Sequence, residues 1–256
     1  MIEVVSLVNF NNEKRIRYLE KSFATFHKIN NYDVRHIVLD SSTELKGQEA
    51  IYEKLGVELH HMPNSSYSER LKRIYDLVKS DYFVFLPDDF VWILDYPINR
   101  AIESARASKI AQIKLSCRGM EWFAEENPKP KSWYEGNKLI SGERLVKEGS
   151  CYVSKRWWYR NFHEQFSLAA TITNKEFLHD TIKNIPDDIY SPGAAEKKAY
   201  IKLLLKPYRT AYYDMLIPAF HFCEFEVEGE NKEYTMKDML IEKNYSIYNS
   251  LYNSRD

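Results

Sequence analysis

The strongest constraint on the fold is the order of apolar runs over the first 115 residues, where strand and helix periods alternate. Residues 2–8 are a short β-branched run suited to a buried strand, broken by Asn11 and Asn12. From Glu13 to Ile29 the spacing turns helical, with Ile16, Leu19, Phe23 and Phe26 on one face. Residues 34–39 predict a second strand, ending in Asp40-Ser41-Ser42. Ser41 and Glu44 stand at capping-box spacing, which predicts a helix from there to Leu55, stopped by Gly56. Residues 57–61 read as a third strand. Ser66 and Glu69 repeat the capping-box spacing before a helix that buries Leu71, Ile74, Leu77 and Val78. Residues 82–86 are apolar throughout, as suits a central strand covered on both faces. Residues 98–107 read as a helix and 110–115 as a further strand. This alternation predicts an α/β fold: a doubly wound, mostly parallel sheet with helices on both faces.

Beyond Cys117 the period is lost until about Tyr159, as expected of a functional loop or lid. It resumes with a strand over 167–173 and helices over 174–184 and 194–205. The tail after Lys232 is polar and Tyr-rich, which suggests a surface helix with a frayed end. The chain therefore divides into an α/β half (1–115), a second part of the same domain (116–231) and a C-terminal helix or tail (232–256).

Charge and cysteine content narrow the function. With 36 basic and 37 acidic residues the net charge is −1, so no broad basic surface for nucleic acid is expected. No apolar run reaches the ~18 residues needed to span a bilayer, and no secretion signal opens the chain. The three cysteines, Cys117, Cys151 and Cys223, form neither a CxxC pair nor a disulfide framework. A cytoplasmic protein without stable membrane insertion is expected, with room for peripheral contact at the inner face of the membrane.

The sharpest chemical signal is Leu86-Pro87-Asp88-Asp89 at the end of the wholly apolar strand. In open α/β sheets ligands bind beyond the carboxyl ends of the strands. Two adjacent carboxylates there repel unless a positive charge compensates them, and a divalent metal bridging to phosphates would do so. Hard oxygen ligands suit Mg²⁺ or Mn²⁺. The plainer reading is a polar turn. Asp40 can accept hydrogen bonds from a nucleobase or ribose, or simply serve a turn and cap. Arg70, near its helix start, can face a diphosphate, whereas Lys72 and Arg73 suit a solvated face. His60 and His61, adjacent on a strand, face opposite sides and make a poor joint metal site. Residues 155–160, Lys-Arg-Trp-Trp-Tyr-Arg, suit either an aromatic platform for an acceptor or a half-buried loop.

Together, the strand from Met1, the strand ending in Asp40-Ser41, the helix opening at Ser66 with Arg70 and Tyr75, and the strand closing in Asp88-Asp89 resemble the family 2-like GT-A glycosyltransferases of bacterial type. The resemblance covers roughly residues 1–115. It implies a GT-A (Rossmann-like) fold with an acceptor-side C-terminal part. It also implies that Asp40 contacts the nucleotide base, that Arg70 and Asp88 lie against the donor, and that Asp89 binds Mn²⁺ or Mg²⁺. Pro87 departs from the family's D-x-D pattern and leaves Asp88 and Asp89 as its only acids. More faintly, residues 166–178 resemble the family's acceptor-side strand and helix, and 191–196 its Pro-x-x-x-Glu segment. An inverting transfer needs a base at the acceptor hydroxyl, and Glu196 takes that role by resemblance, with Asp187 and Asp188 in reserve. Glu196 is equally suited to its helix N-terminus by the macrodipole alone. His221 is matched to a late histidine that completes the metal or diphosphate site.

The implied activity is transfer of a sugar from a nucleotide-diphosphate donor, UDP-linked by expectation, to a hydroxyl on a carbohydrate or glycolipid acceptor. Two alternatives stay open. A nucleotidyltransferase of the same fold normally carries a Gly-rich loop after the first strand, and residues 8–12 hold no glycine. A non-catalytic module that binds nucleotide-sugar would account for Pro87.

Overall fold

The period-2 alternation of β1 (Ile2–Val8) sends its apolar side chains into two separate cores. Ile2, Val4 and Val8 join one, and Val5 and Leu7 join the other. A computed structural model describes residues 1–9, 14–29, 32–92, 95–116, 134–135, 138–139, 145–154, 166–203, 209–213 and 218–221. The residues after 221, including the predicted tail, lie outside this set, as do the aromatic-basic segment 155–160 and most of the predicted lid.

After β1 come α1 (Lys14–Ile29), β2 (Val34–Asp40), α2 (Gln48–Leu55), β3 (Glu58–His61), α3 (Tyr67–Leu77), β4 (Tyr82–Phe85), β5 (Phe90–Trp92), α4 (Ile98–Ala107) and β6 (Gln112–Lys114). The small hairpin β7 (Tyr134–Glu135) and β8 (Lys138–Leu139) precedes β9 (Leu145–Glu148) and β10 (Cys151–Ser154). Then follow β11 (Thr171–Asn174), α5 (Lys175–Ile182), α6 (Pro192–Leu203), β12 (Thr210–Tyr213) and β13 (Ala219–His221). A nine-stranded sheet has the order β3-β2-β1-β4-β11-β6-β12-β10-β9. Following the pairings across it, seven strands run one way, and β10 and β11 run against them. Helices α1, α2 and α4 pack their apolar faces on one side of the sheet; α3, α5 and α6 pack on the other. This is the expected doubly wound α/β sandwich. Among the described residues no helix is long and apolar enough to cross a membrane.

Local chemistry explains where elements begin. The Ser66–Glu69 capping box forms as predicted: the Ser66 hydroxyl accepts the Glu69 N–H (3.1 Å) and Glu69 Oε2 accepts the Ser66 N–H (2.7 Å). The helix predicted from Ser41 starts later, at Gln48. Asp40 Oδ1 takes the Ser42 N–H at 2.8 Å, which turns the chain before a helix can start. Gly47, at φ 86°, then makes the left-handed turn into α2. Only the end of the predicted 167–173 strand joins the ladder. Ser167, Leu168 and Ala169 donate their N–H groups to the side chains of Gln112, Glu196 and Ser167, so extended pairing begins at Thr171. The β9–β10 hairpin was not anticipated. It turns through Gly149-Ser150, with Gly149 at φ 60° as a two-residue primed turn requires.

One buried charge ties β1 to the strands beside it. Glu3 sits in the sheet with 3% of its surface exposed. Its carboxylate accepts from the Lys79 N–H (2.8 Å), the Ser80 N–H (2.6 Å), the Ser80 hydroxyl and the Arg35 guanidinium. Burial alone would raise its pKa, but the hydrogen bonds from Ser80, Arg35 and Lys79 outweigh it and hold the group below the ordinary carboxylate value. A lowered folded-state pKa stabilises the fold above the unfolded value, and this contribution fades as pH falls through the folded one. Glu3→Gln is expected to destabilise the protein by about 2 kcal/mol at pH 7. The gap in melting temperature between wild type and variant should close as calorimetry is repeated down towards pH 3.5; a constant gap would rule this account out.

Candidate active site

Sheet order brings the predicted residues of the first half to one edge. Because β2, β1 and β4 are adjacent and parallel, their carboxyl ends open side by side. Asp40 ends β2, Val8 ends β1, and Leu86-Pro87-Asp88-Asp89 follows β4. The Phe90 N–H donates to the Pro87 carbonyl at 3.4 Å, closing a tight turn with the two acids at its centre. Hydroxyls from two neighbouring elements hold that turn. Ser6 of β1 donates to the Leu86 carbonyl (2.5 Å), and Ser22 of α1 donates to the Pro87 carbonyl (3.1 Å).

A positive charge stands against the doublet, and it comes from the chain itself. Arg15, in the first turn of α1, reaches both carboxylates with Nη2: Asp89 Oδ2 at 3.1 Å and Asp88 Oδ1 at 3.5 Å. Asp88 is 5% exposed, and its Oδ2 is buried with no hydrogen-bond partner among the described residues. Burial first, and the charge of Asp89 second, push the Asp88 carboxyl up to about 7 despite the opposing pull of Arg15 and Arg70. Sequence reasoning missed Arg15. Its signal was available: a basic first turn, Lys14-Arg15-Ile16-Arg17, with no acid, opposes the helix dipole and suggests an anion nearby.

Arg70 is buried at the same edge. It donates Nη1 to the Val8 carbonyl (2.7 Å) and Nε to the Ser66 carbonyl (3.3 Å), and its guanidinium lies 5.5 Å from the centre of the Tyr67 ring. The other N–H groups of its fork have no acceptor among the described residues. Burial lowers its pKa, against the pull of Tyr67, Asp40 and Asp88. Asp40 is wholly buried; Oδ1 accepts from the Ser42 N–H and Oδ2 from the Tyr52 hydroxyl, each at 2.8 Å. It thereby organises the β2–α2 loop.

Glu196, on α6, is also buried, and its Oε1 accepts the Leu168 N–H at 2.7 Å. Burial raises the pKa of the Tyr67 phenol on α3; Arg70 opposes this, and the charges of Glu196, Asp89 and Asp88 add to the rise. Asp187 and Asp188 are exposed instead, with Asp187 in a surface ion pair with Lys72. For His221 only the backbone is described. β13 pairs antiparallel with β5 and sets His221 opposite Phe90, the residue after Asp89. His60 binds Glu58 and His61 binds the Ser42 carbonyl, as two side chains on opposite faces would.

No group of three or more histidine, cysteine or acidic side chains placed to hold a metal occurs among the described residues. The doublet still fits a hard divalent cation: it offers two carboxylates, one with a buried unpartnered oxygen, while Mg²⁺ and Mn²⁺ commonly take their remaining ligands from phosphate and water.

No family model and no curated protein matches the sequence. Solved structures do match the fold. S. aureus TarS 1–349 in complex with UDP-GlcNAc superposes with a TM-score of 0.57 at 15% identity, over 94% of this chain and 65% of that one. A longer TarS structure gives 0.55 at 14% identity; this chain spans 39% of its length. The mannosyltransferase PcManGT from Pyrobaculum calidifontis, in complex with GDP-Man and Mn²⁺, gives 0.51 at 12% identity, over 83% of this chain and 55% of that one. The fold shared with these neighbours is GT-A-type, as the sequence resemblance implies.

The burial of Asp88 makes the site a source of instability when no ligand is present. Asp88→Asn removes one of two adjacent negative charges and leaves Asp89 to Arg15. In chelator at pH 8 it is expected to raise stability by about 1 kcal/mol, a few degrees in melting temperature by calorimetry. A fall in melting temperature would contradict the strain assigned to this carboxylate.

Proposed function

We propose that this chain is a glycosyltransferase that moves a sugar from a nucleotide-diphosphate donor, UDP-linked, to a hydroxyl of a carbohydrate or glycolipid acceptor. The observation that carries the reading is the acidic doublet at the end of the central strand: Asp88 is buried, with one carboxylate oxygen unpartnered among the described residues, and two arginines stand beside the pair. A donor diphosphate with its divalent cation supplies the charges this arrangement lacks. The GT-A-type fold, and neighbours crystallised with UDP-GlcNAc or with GDP-Man and Mn²⁺, support it.

In this reading Asp89, with Asp88, holds Mn²⁺ or Mg²⁺, and His221 completes that site from β13. The metal, when bound, neutralises charge on the departing diphosphate. Arg70 lies along the donor and presents the N–H groups not engaged by Val8 and Ser66. Asp40 acts at the nucleoside end by fixing Ser42 and Tyr52. Glu196 takes the proton of the acceptor hydroxyl as it attacks the anomeric carbon from the face opposite the leaving group, so configuration inverts. Its anchor on the Leu168 N–H orients the carboxylate for that task. Residues 1–115 thus serve the donor and 116–231 the acceptor. The chain works in the cytoplasm, at the inner face of the membrane when its acceptor is lipid-linked.

A second reading, a module that binds donor without turnover, draws on Arg15, which already neutralises part of the doublet's charge. A panel of nucleotide-sugars with Mn²⁺ separates the two. Transferase activity predicts release of UDP, with kcat/KM falling on the order of 100-fold in Asp89→Ala. Glu196→Gln should keep the donor-induced rise in melting temperature while losing turnover. A donor-induced rise without any UDP release, across acceptors, would favour the module, and no rise with any donor would sink both.

A further inference from the structure

We infer that Arg15 is the resident counter-ion of the doublet, and that it exchanges the two carboxylates for the donor diphosphate when metal and nucleotide bind together. The inference rests on the donor site proposed above and assigns a role to a residue outside it.

Three observations lead there. First, one guanidinium nitrogen bridges Asp88 Oδ1 and Asp89 Oδ2, one oxygen from each of the two acids that would hold the metal. Second, the bridge is incomplete: the buried Oδ2 of Asp88 is left without a hydrogen-bond partner among the described residues. A resident cation that fully matched the doublet would answer that oxygen too. Third, Arg15 stands in the first turn of a helix that has no acid there, where the macrodipole disfavours a cation. The same dipole favours a phosphate at that helix end. Its side chain is a third exposed, so it can turn away without breaking the core. The β1–α1 connection has no glycine to wrap backbone N–H groups around phosphates, so a side-chain donor fits that gap.

The consequence is cooperative loading. A divalent ion arriving alone must displace Arg15 from the carboxylates and set two positive charges side by side. An ion arriving with a diphosphate gives Arg15 a bidentate anionic partner at the moment it is displaced. Metal without nucleotide therefore binds weakly, and each raises the other's affinity by the same factor.

The test is binding rather than turnover. Mn²⁺ is titrated into chelator-stripped full-length wild type, Arg15→Gln and Arg15→Lys, with and without UDP, following free Mn²⁺ by electron paramagnetic resonance and UDP by calorimetry. Arg15→Gln should bind Mn²⁺ alone at least 10-fold more tightly than wild type and Mn²⁺–UDP at least 10-fold more weakly. Arg15→Lys, which keeps the charge but cannot form the fork, should fall between and covers a poorly folded glutamine variant. Loss of a merely structural contact would weaken both ligands together. If wild type binds Mn²⁺–UDP while both variants bind Mn²⁺ alone no better than wild type, the counter-ion role is wrong and the donor site stands. If wild type binds neither ligand, the donor site falls and the role of Arg15 with it.

Discussion

Two carboxylates on consecutive residues at the end of a central strand, one of them buried, need positive charge close by, and the groups around them meet that need in part. Arg15 bridges them from α1, and Arg70 adds its field from α3 while capping the Val8 carbonyl. Neither arginine satisfies Asp88 Oδ2. The residual mismatch is what separates this site from a closed structural ion pair, in which every lone pair would be answered.

Hydrogen bonds from β1 and α1 support the turn that carries the doublet. Under the turn runs a directional hydrogen-bond chain. The Ser6 hydroxyl donates to the Leu86 carbonyl, so it accepts from His36 Nε2–H at 2.9 Å; His36 Nδ1 then accepts from His27 Nε2–H at 3.1 Å. Burial lowers the pKa of both imidazoles, which keeps the chain neutral beside the acids. Phe23 packs on the buried His36 with ring centres 4.3 Å apart. From above, Ser22 of α1 holds the Pro87 carbonyl. The helix that carries Arg15 thus also fixes the turn that Arg15 faces.

Sheet topology joins the two halves of the chain. β11, drawn from the second half, runs antiparallel between β4 and β6 and so lies beside the strand that carries the doublet. The irregular segment before it is held by Glu196, whose carboxylate binds the Leu168 N–H. Tyr67 on α3 feels the charge of this α6 residue as well as that of Asp88 and Asp89. β13 returns along β5 and brings the backbone of His221 to the same turn. The nine-stranded sheet thus draws strands from both halves of the chain, and the separate β5–β13 pair joins them a second time.

Local signals were legible wherever a short stretch of chain decides its own conformation. The period-2 run of β1, the wholly apolar β4, the capping box of α3 and the acidic doublet all depend on neighbours within about four residues, and each was readable in order. So was the α/β class, because alternating periods leave few other ways to bury both faces of a sheet. The later start of α2 was not readable, because Asp40 could either cap a helix or bind the Ser42 N–H, and Tyr52 and Ser42 together settle its carboxylate in the turn. The antiparallel placement of β11, the pairing of β13 with β5 and the reach of Arg15 across 73 and 74 positions to its two acids are long-range contacts. The sequence by itself determined which groups carry charge and which strands are buried. Only the tertiary structure decided which charges meet, because that depends on strand order, which is not written in any local window.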